Sequence, residues 1–361
     1  MRGRTTSGVL GLVCALGTWP MTALGGTFLF TEEGFEDTIM HPVGYDGTGG
    51  VLEVTVCIVP GSADAEAMVV PIGNVVRTVS ALVPTTANLQ LGAENNVPPD
   101  RVDFESVALH ELLHCVGLAH PNLGVAPDVD DPGFCSSHEG DDGEWDFDAG
   151  DDGVSGSGDD RRGDDVNLGW FQVANNDPFS IAPVVDRSTY SRDLDDLPND
   201  DSFAAIASRT VAAVSAVAPG TESVMYQGTY LDEAQRTLGH DDVAMLRLAM
   251  AGHDEVAGTA DDYALSLRFG GISAAGCDIR VDMDGSKTGF AACQAGAVFP
   301  LATHGSITNA VVYFHPEAAW FFNDVSNATG NPVVPAFSMG GLAALALGLL
   351  GIAVRVARRR A

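Results

Sequence analysis

The feature that most constrains this chain is the run His110-Glu111-Leu112-Leu113-His114-Cys115-Val116-Gly117-Leu118-Ala119-His120, which reads H-E-x-x-H-x-x-G-x-x-H. Positions four apart on a helix share a face, so His110 and His114 can aim two imidazoles at one point. Glu111 flanks that face and can reach a water held at the same point. Gly117 has no Cβ, so the chain can turn sharply there and bring His120 back as a third nitrogen donor. Three neutral imidazoles with one position left open describe a catalytic zinc site rather than a closed structural one. Asp103 is placed to cap the helix, with Glu105 in its dipole-favoured first turn. Phe104, Ala108, Leu109, Leu112, Leu113, Cys115 and Val116 supply an apolar back to bury.

At these residues the chain resembles the metzincin metalloproteases, whose extended zinc motif has this form. A second likeness lies about a hundred residues on: Ser223-Val224-Met225-Tyr226 is close to the matrixin form of the Met-turn. The residues from Arg236 to Ala244 resemble the start of the matrixin C-terminal helix. Pro121 stands where matrixins usually carry Ser and serralysins carry Pro, so no single subfamily is selected. No latency segment of the Pro-Arg-Cys-Gly type precedes the motif, which argues against a cysteine-switch zymogen.

The resemblance implies an α+β zincin catalytic domain: a mixed sheet, a backing helix, the zinc helix, a Met-turn and a C-terminal helix. It implies one Zn²⁺ on His110, His114 and His120, and Met225 as an apolar floor beneath them that does not ligate. Tyr226 and Gln227 would line a substrate pocket. The implied activity is that of a zinc endopeptidase acting on protein or peptide substrates, with Glu111 as general base and then general acid. The rival reading is a catalytically silent zinc- or calcium-binding surface or adhesion protein. The intact Glu111 weighs against it, because a mere zinc binder needs no general base.

The chain has 361 residues and a formal net charge of −31. Such a polyanion repels nucleic acid, so no nucleic-acid partner is expected. Arg2 and Arg4 precede an apolar run ending near Ala23-Leu24-Gly25, so residues 1–25 read as a secretory signal peptide containing Cys14. Export implies a disulfide-permissive compartment. Of the remaining cysteines, Cys277 and Cys293 are the first candidate pair and Cys115 and Cys135 the second. Cys57 is then left alone, and a Cys57–Cys115 pair stays open as an alternative. At the other end, residues 326–361 form a linker, an apolar helix of spanning length and an Arg-rich tail. This resembles bacterial sorting signals of the PEP-CTERM kind without the Pro-Glu-Pro triplet. Processing by a C-terminal sorting protease and permanent membrane anchoring both remain open. The expected location is the cell envelope or the exterior.

Between these ends, residues 26–257 read as the protease domain. Short strands are expected at 27–30 and 51–59, and a helix at 65–83. Pro71 should sit in the first turn of that helix or kink it, with Asn74 and Arg77 facing outward. That order, with more extended chain ahead of the zinc helix, is the one the resemblance implies. An acidic insert occupies about 125–200, and its Asp- and Gly-rich centre cannot bury a core. Asp146, Asp148, Asp151 and Asp152 are calcium-ligand candidates through hard oxygens, without EF-hand spacing. Order should return near Trp170-Phe171. After a helix starting at Asp241-Asp242, residues 258–325 read as a small β appendage packed against the protease, with short strands expected at 263–269, 279–281 and 307–315. His41, His138, His240, His253, His304 and His315 show no ligand spacing and read as ordinary histidines.

Overall fold

The computed structural model describes residues 26–30, 37–88, 95–120, 137–138, 166–167, 169–173, 180–193, 196, 224–225, 229, 231–287 and 289–326. Residues 1–25, expected to be a signal peptide, most of the acidic insert, Cys135, Tyr226, Gln227, the four calcium candidates and the C-terminal apolar segment lie outside them. Among the described residues no helix is long and apolar enough to cross a membrane.

The chain opens with β1 (Thr27–Phe28), β2 (Ile39–His41) and β3 (Gly50–Ile58). Helix α1 (Ala65–Ala81) follows, then β4 (Val102–Asp103), the zinc-motif helix α2 (Phe104–Cys115) and β5 (Leu118–Ala119). Two small antiparallel pairs come from the insert: β6 (Ser137–His138) with β7 (Val166–Asn167), and β8 (Phe171–Gln172) with β9 (Tyr190–Ser191). Helix α3 (His240–Met250) leads into β10 (Tyr263–Ile272), β11 (Ile279–Met283), β12 (Ala291–Leu301), β13 (His304–Phe314) and β14 (Trp320–Phe321).

The architecture is mixed α/β around one six-stranded sheet. Its order is β10-β3-β11-β13-β12, with β2 added to β13. All neighbours run parallel except β12, which runs antiparallel to β13 at the edge. The second half of β3, Val54 to Ile58, is buried throughout, as expected of a strand covered on both faces. Helix α1 packs on β10 and α2, and α2 also packs on β12 and β13.

This overturns the reading of residues 258–325 as a small β appendage. Four of the six strands come from that region, and β3 has both its partners there, β10 and β11. Strands β10, β11 and β13 fall where the sequence puts them and β12 was not expected, and alternation shows that a strand exists, not which strand it joins. Among the described residues between α1 and α2, the one named strand is the two-residue β4.

The disulfides differ as well. The bonds are Cys57–Cys277 and Cys115–Cys293, not Cys277–Cys293 or Cys115–Cys135, and the Cys57–Cys115 alternative falls with them. Cys57 lies near the end of β3 and Cys277 shortly precedes β11, its neighbour, so sheet pairing juxtaposes them. Cys115 ends α2 where that helix lies on β12, which carries Cys293.

In α1, Pro71 is in the second turn of an unbroken helix. Asn74, expected to face outward, is fully buried; its amide donates to Glu105 Oε2 at 2.8 Å and to the Val325 carbonyl at 2.8 Å. A polar residue on a helix reads as exposed unless its buried partner is known, and here the partners lie far away in sequence. Trp170 and Phe171 are buried, as expected where order returns after the insert.

Candidate metal centre

Helix α2 starts as its sequence demands. Asp103 caps it, accepting from the Ser106 N–H at 3.0 Å. Phe104, Leu109, Leu112, Leu113 and Cys115 are buried, so the helix is held by its back. His110 and His114 lie on the less buried face.

The helix ends at Val116, whose N–H reaches the Leu112 and Leu113 carbonyls. Gly117 then takes a φ of +116°, in the left-handed region. A Cβ there would lie 2.9 Å from the Met40 carbonyl oxygen and 3.0 Å from Met40 Cβ, so only glycine fits against β2. The Gly117 carbonyl accepts from the Leu29 N–H, and β5 pairs with β1. His120 leaves this anchored turn pointing back at the helix.

The three imidazoles converge. His110 Nε2 is 3.0 Å from His120 Nε2 and 3.1 Å from His114 Nε2, and His114 Nε2 is 3.1 Å from His120 Nε2. The other ring nitrogens fix the tautomers. His110 Nδ1 donates to the Val224 carbonyl at 2.7 Å, and His114 Nδ1 donates to the Leu118 carbonyl at 2.8 Å. With their protons on Nδ1, these two rings present bare Nε2 lone pairs to each other. Lone pairs that close repel unless a cation lies among them. The donor set therefore fits a cation that takes three neutral imidazoles, and Zn²⁺ is the ordinary choice. Donors about 2.0–2.1 Å from one ion are at most ~4 Å apart, as these are. Burial pushes all three rings below the ordinary imidazole pKa, and neighbouring imidazoles push His114 and His120 further the same way. Neutral ligands are thus available over the whole physiological range.

Glu111, the residue after His110, is buried at 8% exposure. Met225 and Val224 are both buried, and the bond from His110 to the Val224 carbonyl brings Val224 against the triad. Carbonyl bonds of this kind orient a ligating imidazole and raise its basicity. Nothing in the sequence marked the Val224 and Leu118 carbonyls for this part, because backbone groups carry no side-chain signature.

Two further groups were not legible in the sequence. Asp254, Asp261 and Asp262 gather within reach of one another near the surface, where their oxygens accept from backbone N–H groups and the Thr259 hydroxyl. His41, His253 and His304, which read as ordinary, also come together, with His41 Nε2 3.0 Å from His304 Nδ1. Their separation along the chain hides both the contact and its burial.

Compared with family models, curated proteins and solved structures, the chain matches none.

Proposed function

We propose that this protein is a zinc-dependent endopeptidase of metzincin type that hydrolyses peptide bonds in extracytoplasmic proteins. The observation that carries this reading is the convergence of the His110, His114 and His120 Nε2 atoms within 3.1 Å, on the helix that also bears Glu111 and the turn that follows it. A zinc ion held by the triad would lower the pKa of water toward ~7 and polarise the scissile carbonyl.

The chain's own groups do the rest. Glu111 accepts the proton of the attacking water and delivers it to the leaving amine. The Val224 and Leu118 carbonyls keep His110 and His114 aimed, so little reorganisation is needed as charge develops. The edge strand β12 suits an extended peptide. No described strand pairs with its outer side, and Cys293 fastens it to Cys115, the neighbour of His114. A substrate adding there as a further strand is held mainly by backbone hydrogen bonds, which tolerate varied sequence.

Two disulfides among the described residues support export to an oxidising compartment. With the apolar C-terminal segment, they favour a protein of the cell envelope or exterior.

The test is Glu111→Ala in the purified protein, with zinc counted by atomic absorption and cleavage read on a peptide library. The expected result is one zinc per chain retained and turnover lowered about 10²–10⁴-fold. Chelation should abolish cleavage, and zinc should restore it. Undiminished cleavage by Glu111→Ala would refute the mechanism. Zinc binding without cleavage by the parent protein would leave a silent zinc binder.

A further inference from the structure

Beneath the zinc-motif turn lies a second set of ionisable groups that the hydrolytic reading does not use. His41, at the end of β2, is fully buried, and His304, at the start of β13, is 1% exposed. The two rings stack with centroids 5.2 Å apart, and His41 Nε2 meets His304 Nδ1 at 3.0 Å. The Tyr263 hydroxyl, from β10, lies 3.3 Å from His41 Nδ1. Glu255 Oε1, from the segment after α3, lies 3.4 Å from His304 Nε2. His253 closes the group, its ring centroid 5.2 Å from that of His41 and 5.1 Å from that of His304. Tyr45 packs on His41 from the β2–β3 connection.

This group sits under the metal centre by way of one residue. Met40 precedes His41 in β2, and the Met40 carbonyl and Cβ are the atoms against which Gly117 turns. The β2–β13 register, Ile39 with His304 and Ser306 with His41, holds β2 in place. Anything that loosens the pairing of His41 with His304 loosens the support of the turn that aims His120.

We propose that His41 and His304 are positioning residues for the zinc site, forming a hydrogen-bonded latch that holds β2 under Gly117 while His41 is neutral and releases it in acid. Only one proton can occupy the line between His41 Nε2 and His304 Nδ1. Two imidazolium ions 3.0 Å apart in a dry interior repel strongly. The charged and titratable groups around the pair are few. Glu255 faces His304, and Asp261 acts on His41 and, with Asp46, on His253. Tyr45 and Tyr263 are held above the ordinary phenol pKa, mainly by burial, and remain hydroxyls. From the C-terminal end of α3, which packs on β2, the group facing His41 is the Ala249 carbonyl, an acceptor.

Burial, then the charges of His304 and His253, push His41 down to about 2, from an ordinary value of 6.5. A histidine lowered in the folded state stabilises it above the unfolded value and loses that contribution as pH falls below ~6.5. One proton of difference makes local opening about tenfold more frequent per pH unit.

The functional consequence rests on the zinc reading above, but the test does not use proteolysis. Amide hydrogen exchange is followed on the full chain from pH 7.5 to 5, corrected for intrinsic exchange, with zinc bound and after chelation. Peptides covering residues 38–42 and 116–119 should lose protection about tenfold per pH unit below ~6.5 in both states. The double variant His41→Gln, His304→Gln should keep protection at pH 7.5 and lose the pH step. Should that variant fail to fold, the single variant His41→Gln, which removes the ring whose protonation opens the latch, should lose the step. The latch is overturned by a wild-type chain with no step at these peptides, by a step that needs bound zinc, or by a step unchanged in the variants. Failure of peptide cleavage alone would leave the exchange result intact.

Discussion

Two independent constraints meet at Gly117 in the one atom it lacks. Its φ of +116° is costly for any residue with a side chain, and a Cβ would press on the Met40 carbonyl at 2.9 Å. Gly117→Ala should therefore cost on the order of 3 kcal/mol in urea unfolding. It should also weaken zinc binding, measured by competition with a chromophoric chelator, because His120 leaves this turn. A variant with unchanged zinc affinity would show that His120 is aimed from elsewhere. At this scale the sequence was informative. The five motif positions act through helix geometry and one turn, both set by neighbours within a few residues. What stayed hidden were the partners from elsewhere, such as the Val224 carbonyl that His110 Nδ1 meets.

Helix α2 is the element whose position decides whether the site exists, and its first turn is held by buried charge. Asp103 receives both Ser106 groups and a two-pronged bond from Arg236, at 2.8 and 2.6 Å. Glu105, 1% exposed, accepts from Asn74 of α1 and from Asn323 near the end of the sheet region. Burial raises the Glu105 carboxyl to about 7; the amide bonds from Asn74 and Asn323 only partly oppose this. A carboxyl raised in the folded state takes up a proton that the unfolded chain does not. Its ionised form therefore destabilises the fold above pH ~7, and that penalty fades as pH falls toward ~4.5. Over that range the difference is on the order of 3 kcal/mol. Glu105→Gln should flatten the pH dependence of unfolding between pH 5 and 8, read by denaturant titration at each pH. An unchanged slope would place the ionised form in better company than its surroundings suggest. The helix, its Asp103 cap and its apolar back were all legible, since each is a local pattern. Asn74 and Arg236 were not, because their partners in α2 and its cap are 31 and 133 residues away.

Across the whole molecule, four strands of the six-stranded sheet were legible, β2 and β12 were not, and neither was the pairing. Residues 51–59, 263–269, 279–281 and 307–315 all carry the strand patterns that the sheet uses. No such pattern says that β3 lies between β10 and β11, and reading the later strands as an appendage assumed that sequence neighbours pair. The disulfides follow the pairing rather than the spacing. Cys57–Cys277 and Cys115–Cys293 span 220 and 178 residues, and each fastens a part from the first third of the chain to the last strands. Closing loops that long constrains the unfolded chain strongly, though two interleaved loops do not add. The consequence is a sharp test of the architecture. If residues 258–325 were an accessory, a chain ending at residue 257 would fold and keep the metal site. In the observed sheet that chain loses both partners of β3, the strand that supports β2, the edge strand beside α2 and both disulfides. The buried half of β3 and the backs of α1 and α2 would then face water, and no two-stranded remnant is stable alone. The expected outcome is a chain without a cooperative thermal transition and without stoichiometric zinc. Cooperative unfolding with zinc bound would show that the β3 partners are dispensable, and the placement of β3 between β10 and β11 would have to be redrawn.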